Sequence, residues 1–288
     1  MTLPSVAILG AGRMGQGLAL ALGRRGHPVA LVARSPHPVL PSLRLHSGSR
    51  ADAIRATSCV LLAVPDRAIE VLASELTAEG AVEARHAVLH LSGLRDRGAL
   101  APLAPTGAAL GSFHPLQTLA DPNTASERFA GAYAGVEGDD RAIAAAEAFA
   151  GSLGMTPVRL PPGAKAAYHA GATFAANYTT ALVAVAERLA LAAGIAPDVA
   201  RRLYLPLFRG AAANLEAGPA AALTGPVRRG DVETVRAHLS VLAPADRALY
   251  LLLAREALTL AREAGLEAEA AARMAEALGE TFDRANPY

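Results

Sequence analysis

Val6-Ala7-Ile8-Leu9-Gly10-Ala11-Gly12-Arg13-Met14-Gly15 is the stretch whose reading decides the fold. Four apolar residues predict a short buried strand, and the amphipathic run over 12–24 predicts a helix that opens on the glycine turn. In a turn of this type the first glycine permits the tight bend and the second lets a pyrophosphate approach the backbone. The third allows close packing of helix on strand, with the helix N-terminal amides aimed at the phosphates. In a chain with 26 glycines the motif alone is weak. Its placement after a strand, at the head of a βαβ unit of about 30 residues, is what gives it specificity. Gly10, Gly12, Arg13, Met14 and Gly15 are therefore candidate cofactor-binding residues; the alternative is a glycine turn that binds nothing.

Further along, the same alternation repeats. Short apolar runs at 29–33, 60–64, 87–91, 109–113, 133–136 and 157–160 predict six more strands, with helical patterns between them such as 66–76 and 141–153. Strands this apolar, alternating with helices, predict an α/β fold with a doubly wound, mostly parallel sheet. Pro161-Pro162-Gly163 is a stiff break, after which strand signals stop. A proline-free run over 164–193 predicts one long helix closed by Gly194, followed by helices over 197–208, 232–242, 244–264 and 268–278. The expected organisation is a sheet domain over 1–161 and an all-α domain over 162–288.

Composition narrows the class. The 288 residues are 52% hydrophobic and 18% charged, enough to bury a sizeable core. A net charge of +1 gives no electrostatic footprint for nucleic acid or an acidic membrane. The single cysteine, Cys59, excludes an internal disulfide and a cysteine-based zinc site, and no metal is expected. No apolar run approaches the roughly 20 residues of a membrane helix, and no secretory signal pattern opens the chain. A soluble, cytoplasmic protein is expected. The apolar surface of its alanine- and leucine-rich helical half predicts a homodimer formed through that half.

Cofactor choice is read at the end of the second strand, Leu31-Val32-Ala33-Arg34-Ser35. A site for NAD usually places Asp or Glu there to bind the ribose 2′-hydroxyl. Arg34 and Ser35 instead suit a 2′-phosphate, so NADP (NADPH) is the expected cofactor; the alternative is that Arg34 is one of many surface arginines. Other strand ends outline the same crevice: Ala63-Val64-Pro65-Asp66, His90-Leu91-Ser92-Gly93 and Ser112-Phe113-His114-Pro115. Val64 and Pro65 suit a backbone running along a cofactor. Ser92 and His114 are candidate catalytic groups, although Pro115 also fits a purely structural turn at His114.

Of 27 basic residues, 26 are arginine and one, Lys165, is lysine. On a helix Lys165, His169, Thr173 and Asn177 would fall on one face, because steps of four residues drift slowly around the axis. Lysine, unlike arginine, can be tuned by burial until it serves as acid or base. Lys165, His169 and Asn177 are therefore candidate catalytic residues. The competing reading is a solvated lysine and a structural histidine.

Taken together, GAGRMG, AVPD, HLSG, SFHPLQT, the K-x-x-Y-H…N-Y helix and LTGPVRRGD resemble a bacterial family that joins a Rossmann-like NADP-binding domain to a helical C-terminal domain of unknown function. The resemblance spans essentially the whole chain. More distantly the chain is similar to 6-phosphogluconate and 3-hydroxyisobutyrate dehydrogenases, pyrroline-5-carboxylate reductase and ketopantoate reductase. In the 6-phosphogluconate type, a lysine on the first long helix after the sheet domain is the acid/base. Lys165 matches it, while His169 stands where that type has asparagine. The resemblance implies a 6-phosphogluconate-dehydrogenase-like helical domain and an NADP-dependent oxidoreductase. Hydride would pass between nicotinamide and a carbonyl or hydroxyl of a small polar metabolite, with Lys165 moving the proton. The alternatives are an imine (C=N) reductase of the pyrroline-5-carboxylate reductase type and a non-catalytic NADP(H)-binding sensor.

Overall fold

The computed structural model describes residues 5–34 and 38–279. The chain divides into two compact units, Met1–Tyr178 and Thr179–Tyr288.

In the first unit the elements run β1 (Val6–Leu9), α1 (Arg13–Gly23), β2 (Val29–Val32), α2 (Arg50–Arg55), β3 (Cys59–Leu62), α3 (Asp66–Ala78) and β4 (Ala87–His90). A 3-10 stretch over Arg97–Thr106 leads to β5 (Ala109–Leu116), α4 (Ala125–Phe129), β6 (Tyr133–Gly138), α5 (Asp140–Ser152), β7 (Thr156–Arg159) and α6 (Lys165–Thr173). The seven strands form one sheet in the order β2-β1-β3-β4-β5-β6-β7. All neighbours are parallel except β5 and β6. Outside β2, Leu45 makes an isolated parallel bridge to Leu31 and so adds the rudiment of a further strand. The chain thus winds outward through β2 and Leu45, then returns past β1 to build β3, β4 and β5. The reversal falls between β1 and β3, the position where such sheets bind ligands.

Strand alternation sends the apolar side chains to two cores. Ile8, Leu61, Leu89 and Phe113 pack with Leu18 and Leu22 of α1 and Phe149 of α5. Leu9, Leu62, Val88 and Leu110 pack on the other face with Ile54, Ile69, Leu76 and Leu100. β5 continues through Pro115 to Leu116, where a turn is one of the readings of the sequence. β4 pairs only as far as Ser112, so the missing N–H of Pro115 leaves no ladder bond unmade on that side.

The second unit contains α7 (Thr179–Ala192), α8 (Pro197–Leu203), α9 (Leu205–Asn214), α10 (Pro219–Ala222), α11 (Pro226–Arg229), α12 (Val232–Val241), α13 (Pro244–Glu263) and α14 (Ala268–Ala277). Its core joins Val227, Val235, Leu239, Leu258 and Met274. Two sequence expectations are corrected. The run over 164–193 is not one α-helix, because a π-helical turn at Phe174–Tyr178 separates α6 from α7. The helix over 197–208 breaks at Tyr204: Pro206 cannot donate into a preceding turn, and it sits instead in the first turn of α9.

At the β1–α1 turn the three glycines differ in what they tolerate. Gly10 has φ of 121°, and a Cβ on it would lie 2.2 Å from the Ala63 carbonyl oxygen. One on Gly15 would lie 1.9 Å from the Gly10 oxygen, whereas one on Gly12 meets nothing within 4 Å. Gly15→Ala is expected to destabilise the protein by about 2 kcal/mol or more through overpacking against backbone, with Gly12→Ala leaving stability near wild type. Thermal unfolding of the two variants checks this contrast.

Candidate functional site

The amino end of α1 has the features of an anion cradle. Gly12 is its N-cap, with extended backbone and no side-chain capping bond, and the first turn carries no acidic residue. Gly12 and Arg13 are exposed and Met14 is partly so. The first-turn amides therefore have no side-chain acceptor at the cap, and an anion would satisfy them. Val64 lines the turn, its Cγ1 being 3.3 Å from a Cβ built on Gly10, and Pro65 is the N-cap of α3. Arg34 is exposed at the end of β2, while Ser35 lies outside the described residues. Sequence reasoning missed Gln16, a buried amide on α1. Its Nε2 donates to the Ala11 and Pro38 carbonyls at 2.8 and 3.0 Å, and its Oε1 accepts from Leu40 N at 2.9 Å. Gln16 thereby ties the chain that follows Arg34 back to the glycine turn.

Towards the carboxyl ends of β4 and β5, one sheet face turns from apolar to polar. His90 follows Val88 on that face, and Ser112 and His114 follow Leu110. Register pairs Ser112 with both His90 and Glu137, and pairs His114 with Gly135. α6 supplies the cover. Its Lys165, only 3% exposed, donates from Nζ to the Ser92 carbonyl at 2.7 Å and to Ser112 Oγ at 2.8 Å. Ser112 Oγ lies 3.4 Å from Glu137 Oε2. One turn along α6, the Tyr168 hydroxyl is 3.0 Å from His114 Nδ1 and occupies the space left by Gly135, whose Cβ would meet it at 2.8 Å. His169 stacks obliquely near His114, ring centres 6.0 Å apart. Gly93 lets the chain after β4 pass this pair: a Cβ there would lie 2.4 Å from His169 and 2.8 Å from His114.

Of the expected site residues, the structure brings together Lys165, His169, His114 and Ser92. The Ser92 hydroxyl is committed to bracing its loop. It donates to Asp66 Oδ2 at 2.8 Å and accepts from Leu94 N and Arg95 N, so the group it offers Lys165 is its carbonyl. The four-residue stripe extends from Lys165 through His169 to Thr173, whose hydroxyl bonds back to the His169 carbonyl. It is interrupted before Asn177, which lies exposed in the π turn. Glu137 is outside the expected set; His90, Ser112 and Tyr168 occur in it only within the quoted strand ends and the K-x-x-Y-H run, with no site role of their own. Period two along β5 links Ser112 to His114, and a three-residue step on α6 links Tyr168 to Lys165.

Burial sets the charge states. Desolvation lowers the Lys165 ammonium to about 8, against the opposing attraction of Glu137, Asp66 and Asp96. His90 and His114 are both pushed down to about 4, by desolvation first and then by the Lys165 charge. His90 is thus neutral, accepting from Ser92 N at Nδ1 and placed to donate from Nε2 to the Asp96 carbonyl.

An open-sheet dinucleotide-type domain with a buried lysine at its carboxyl edge defines the class. Residues 2–115 match the family described as Rossmann-like domain, and residues 132–257 match Domain of unknown function (DUF2520). The chain is thus a Rossmann-like domain followed by a DUF2520 domain. The second match begins before β6, so Ser92, Ser112 and His114 come from the first region, and Glu137, Lys165 and Tyr168 from the second. No curated protein sequence matches the chain. Among solved structures it is similar to a protein from Thermotoga maritima, 21% identical with a TM-score of 0.64, covering 90% of this chain and 98% of that one. It is also similar to Plasmodium falciparum pyrroline carboxylate reductase with NADP bound, 12% identical, TM-score 0.59, covering 97% and 99%. A reductive aminase from Aspergillus terreus in complex with NADPH4, cyclohexanone and allyl amine is 17% identical, TM-score 0.56, covering 97% and 95%. At these identities the likeness is one of fold.

A buried lysine with a lowered pKa costs stability where it is charged. Below pH 8 the folded and unfolded chains both carry the proton and the full penalty applies. Between about 8 and 10.5 the unfolded chain binds the proton and the folded one does not, so stability rises with pH. Relative to Lys165→Met, the wild type is expected to gain roughly 1–3 kcal/mol between pH 7.5 and 10.5. Denaturant unfolding of both proteins at the two pH values measures the difference.

Proposed function

We propose that this protein is an NADP-dependent oxidoreductase acting on a carbonyl, or its hydroxyl counterpart, of a small polar metabolite. The observation that carries the reading is the buried Lys165 ammonium, held between the Ser92 carbonyl and Ser112 Oγ at the carboxyl edge of the sheet. The residues present fit the cofactor. The uncapped amides of α1, opened by Gly12, would hold the pyrophosphate, and Arg34, with no acidic residue beside it, would pair with the 2′-phosphate. Ser35 belongs to the same reading. Val64 and Pro65 would flank the dinucleotide where β3 gives way to α3. Bound NADPH supplies the hydride.

The chain's own groups handle the proton. An ammonium has three N–H donors, and two of those of Lys165 are committed, which leaves one for a substrate oxygen. A pKa of about 8 keeps Lys165 mostly protonated at neutral pH yet willing to release the proton, the condition for a general acid. His114, neutral at that pH and set by Tyr168, and His169 beside it would orient the substrate. Asn177 would take part only from the π turn.

A second reading is reduction of a C=N bond, supported by the resemblance in fold to a pyrroline carboxylate reductase and a reductive aminase. The proposal includes a homodimer formed through the helical half. Its support is the apolar side chains that α7–α9 leave exposed, among them Leu182, Val199, Leu203, Phe208 and Leu207, the last 70% exposed.

The test compares Lys165→Met and Lys165→Arg in NADPH consumption with a panel of carbonyl and imine substrates. Both are expected to lose turnover on a carbonyl substrate by about 10² or more, the range for removing a general acid, while retaining NADPH affinity. Arginine keeps the charge but does not give up its proton. Normal turnover by Lys165→Arg would overturn the role of Lys165. Equal loss on carbonyls with little loss on imines would favour the second reading.

A further inference from the structure

We propose that Ser112 and Glu137 form the path by which Lys165 exchanges its proton with water. The inference rests on the reading of Lys165 as an acid. A group that gives up a proton in each turnover must be reloaded, and Lys165, 3% exposed, has no broad access to solvent. Its two fixed partners differ in kind. The Ser92 carbonyl only accepts and cannot pass a proton on. Ser112 Oγ accepts from Lys165, which leaves its own hydroxyl proton free to donate, and the acceptor within reach is Glu137 Oε2 at 3.4 Å. Ser112 is fully buried, whereas Glu137 is half-buried. The Glu137 carboxylate is held by the Arg97 backbone N–H, 3.0 Å from Oε2 and 3.3 Å from Oε1. The antiparallel register that pairs Ser112 with Glu137 fixes the middle of the path in the sheet itself.

The transfer balances without any other reactant. A hydronium ion from solvent gives its proton to the Glu137 carboxylate, its O–H bond breaking to leave water. The carboxyl O–H then breaks as its proton passes to Ser112 Oγ, while the Ser112 O–H breaks as that proton passes to the Nζ lone pair. No electrons change hands and Ser112 ends as it began. The other charged or titratable groups near Lys165 are less suited to this work. His90 of β4 has both ring nitrogens bonded to backbone, and His114 of β5 is bonded to Tyr168. Asp66, at the head of α3, accepts from Ser92, and Asp96 from Gly98 N. Glu137 is also the largest of the charges that hold the Lys165 proton against desolvation. Ser112 and Glu137 are positioning residues, acting on substrate only through Lys165.

Lys165 is the only lysine in the chain, so lysine labelled with 15N gives a single Nζ signal in the whole protein. Proton exchange between that ammonium and water is measured by NMR in the wild type, Ser112→Ala, Glu137→Gln and Glu137→Asp. Exchange is expected to slow by about tenfold or more in the first two variants and to recover in part with aspartate. The Lys165 pKa should fall further in Glu137→Gln. A merely structural role predicts the opposite sign, because a loosened site admits water and exchanges faster. Unchanged or faster exchange in both variants overturns the path, whether or not Lys165→Arg is inactive. Slowed exchange together with full turnover by Lys165→Arg upholds the path and removes the catalytic reading instead.

Discussion

One ammonium held out of water organises the polar end of the first unit. Burying a charge is costly unless it is bonded, and Lys165 is met by a carbonyl and a hydroxyl at 2.7 and 2.8 Å. Its neighbours follow from that placement. His90 and His114 cannot be cationic beside it and are both neutral at pH 7, with His90 fixed by backbone partners and His114 by Tyr168. Glu137, Asp66 and Asp96 lie close enough to draw the lysine pKa upward without neutralising the effect of burial. The result is a buried ammonium with its pKa lowered to about 8, beside two neutral histidines.

The second constraint is close backbone approach at the reversal of strand order. Gly10 lies against the Ala63 carbonyl, and Gly15 against the oxygen of Gly10, so β1, β3 and α1 meet with no room for side chains. Gly12, by contrast, has open space on its Cα, which suits the cofactor-facing role proposed for it. Gln16 links this rigid turn to the chain after β2, with one hydrogen bond to Ala11 and two to Pro38 and Leu40. Residues 38–40 are therefore fixed to the glycine turn, which suits the cofactor reading proposed for Arg34.

Much of this was legible in the sequence. All seven strands announce themselves as short apolar runs between turn residues; burial explains the central ones, whereas the edge strand β7 is mostly exposed. Lys165 stood out as a lone lysine after a proline break, and the glycine turn by its position after β1. Other features depend on tertiary pairing. Glu137 reaches Ser112 only through the antiparallel register of β5 and β6, which no local pattern encodes. The π turn at Phe174–Tyr178 shares the apolar character of the α-helices around it, and its nearest local sign is an aromatic pair four residues apart, with ring centres 4.9 Å apart. The break before α9 is encoded by Pro206, but the apolar period over 197–208 runs across it.

The central claim is that the glycine turn and the buried lysine serve one bound dinucleotide. The most direct measurement follows the Lys165 15Nζ resonance as NADP+ is titrated to saturation, with binding followed in parallel by calorimetry. The account predicts that this resonance shifts in step with saturation, because the nicotinamide end of the cofactor comes to rest beside the ammonium. A saturating calorimetric titration with the Lys165 resonance unmoved would contradict it.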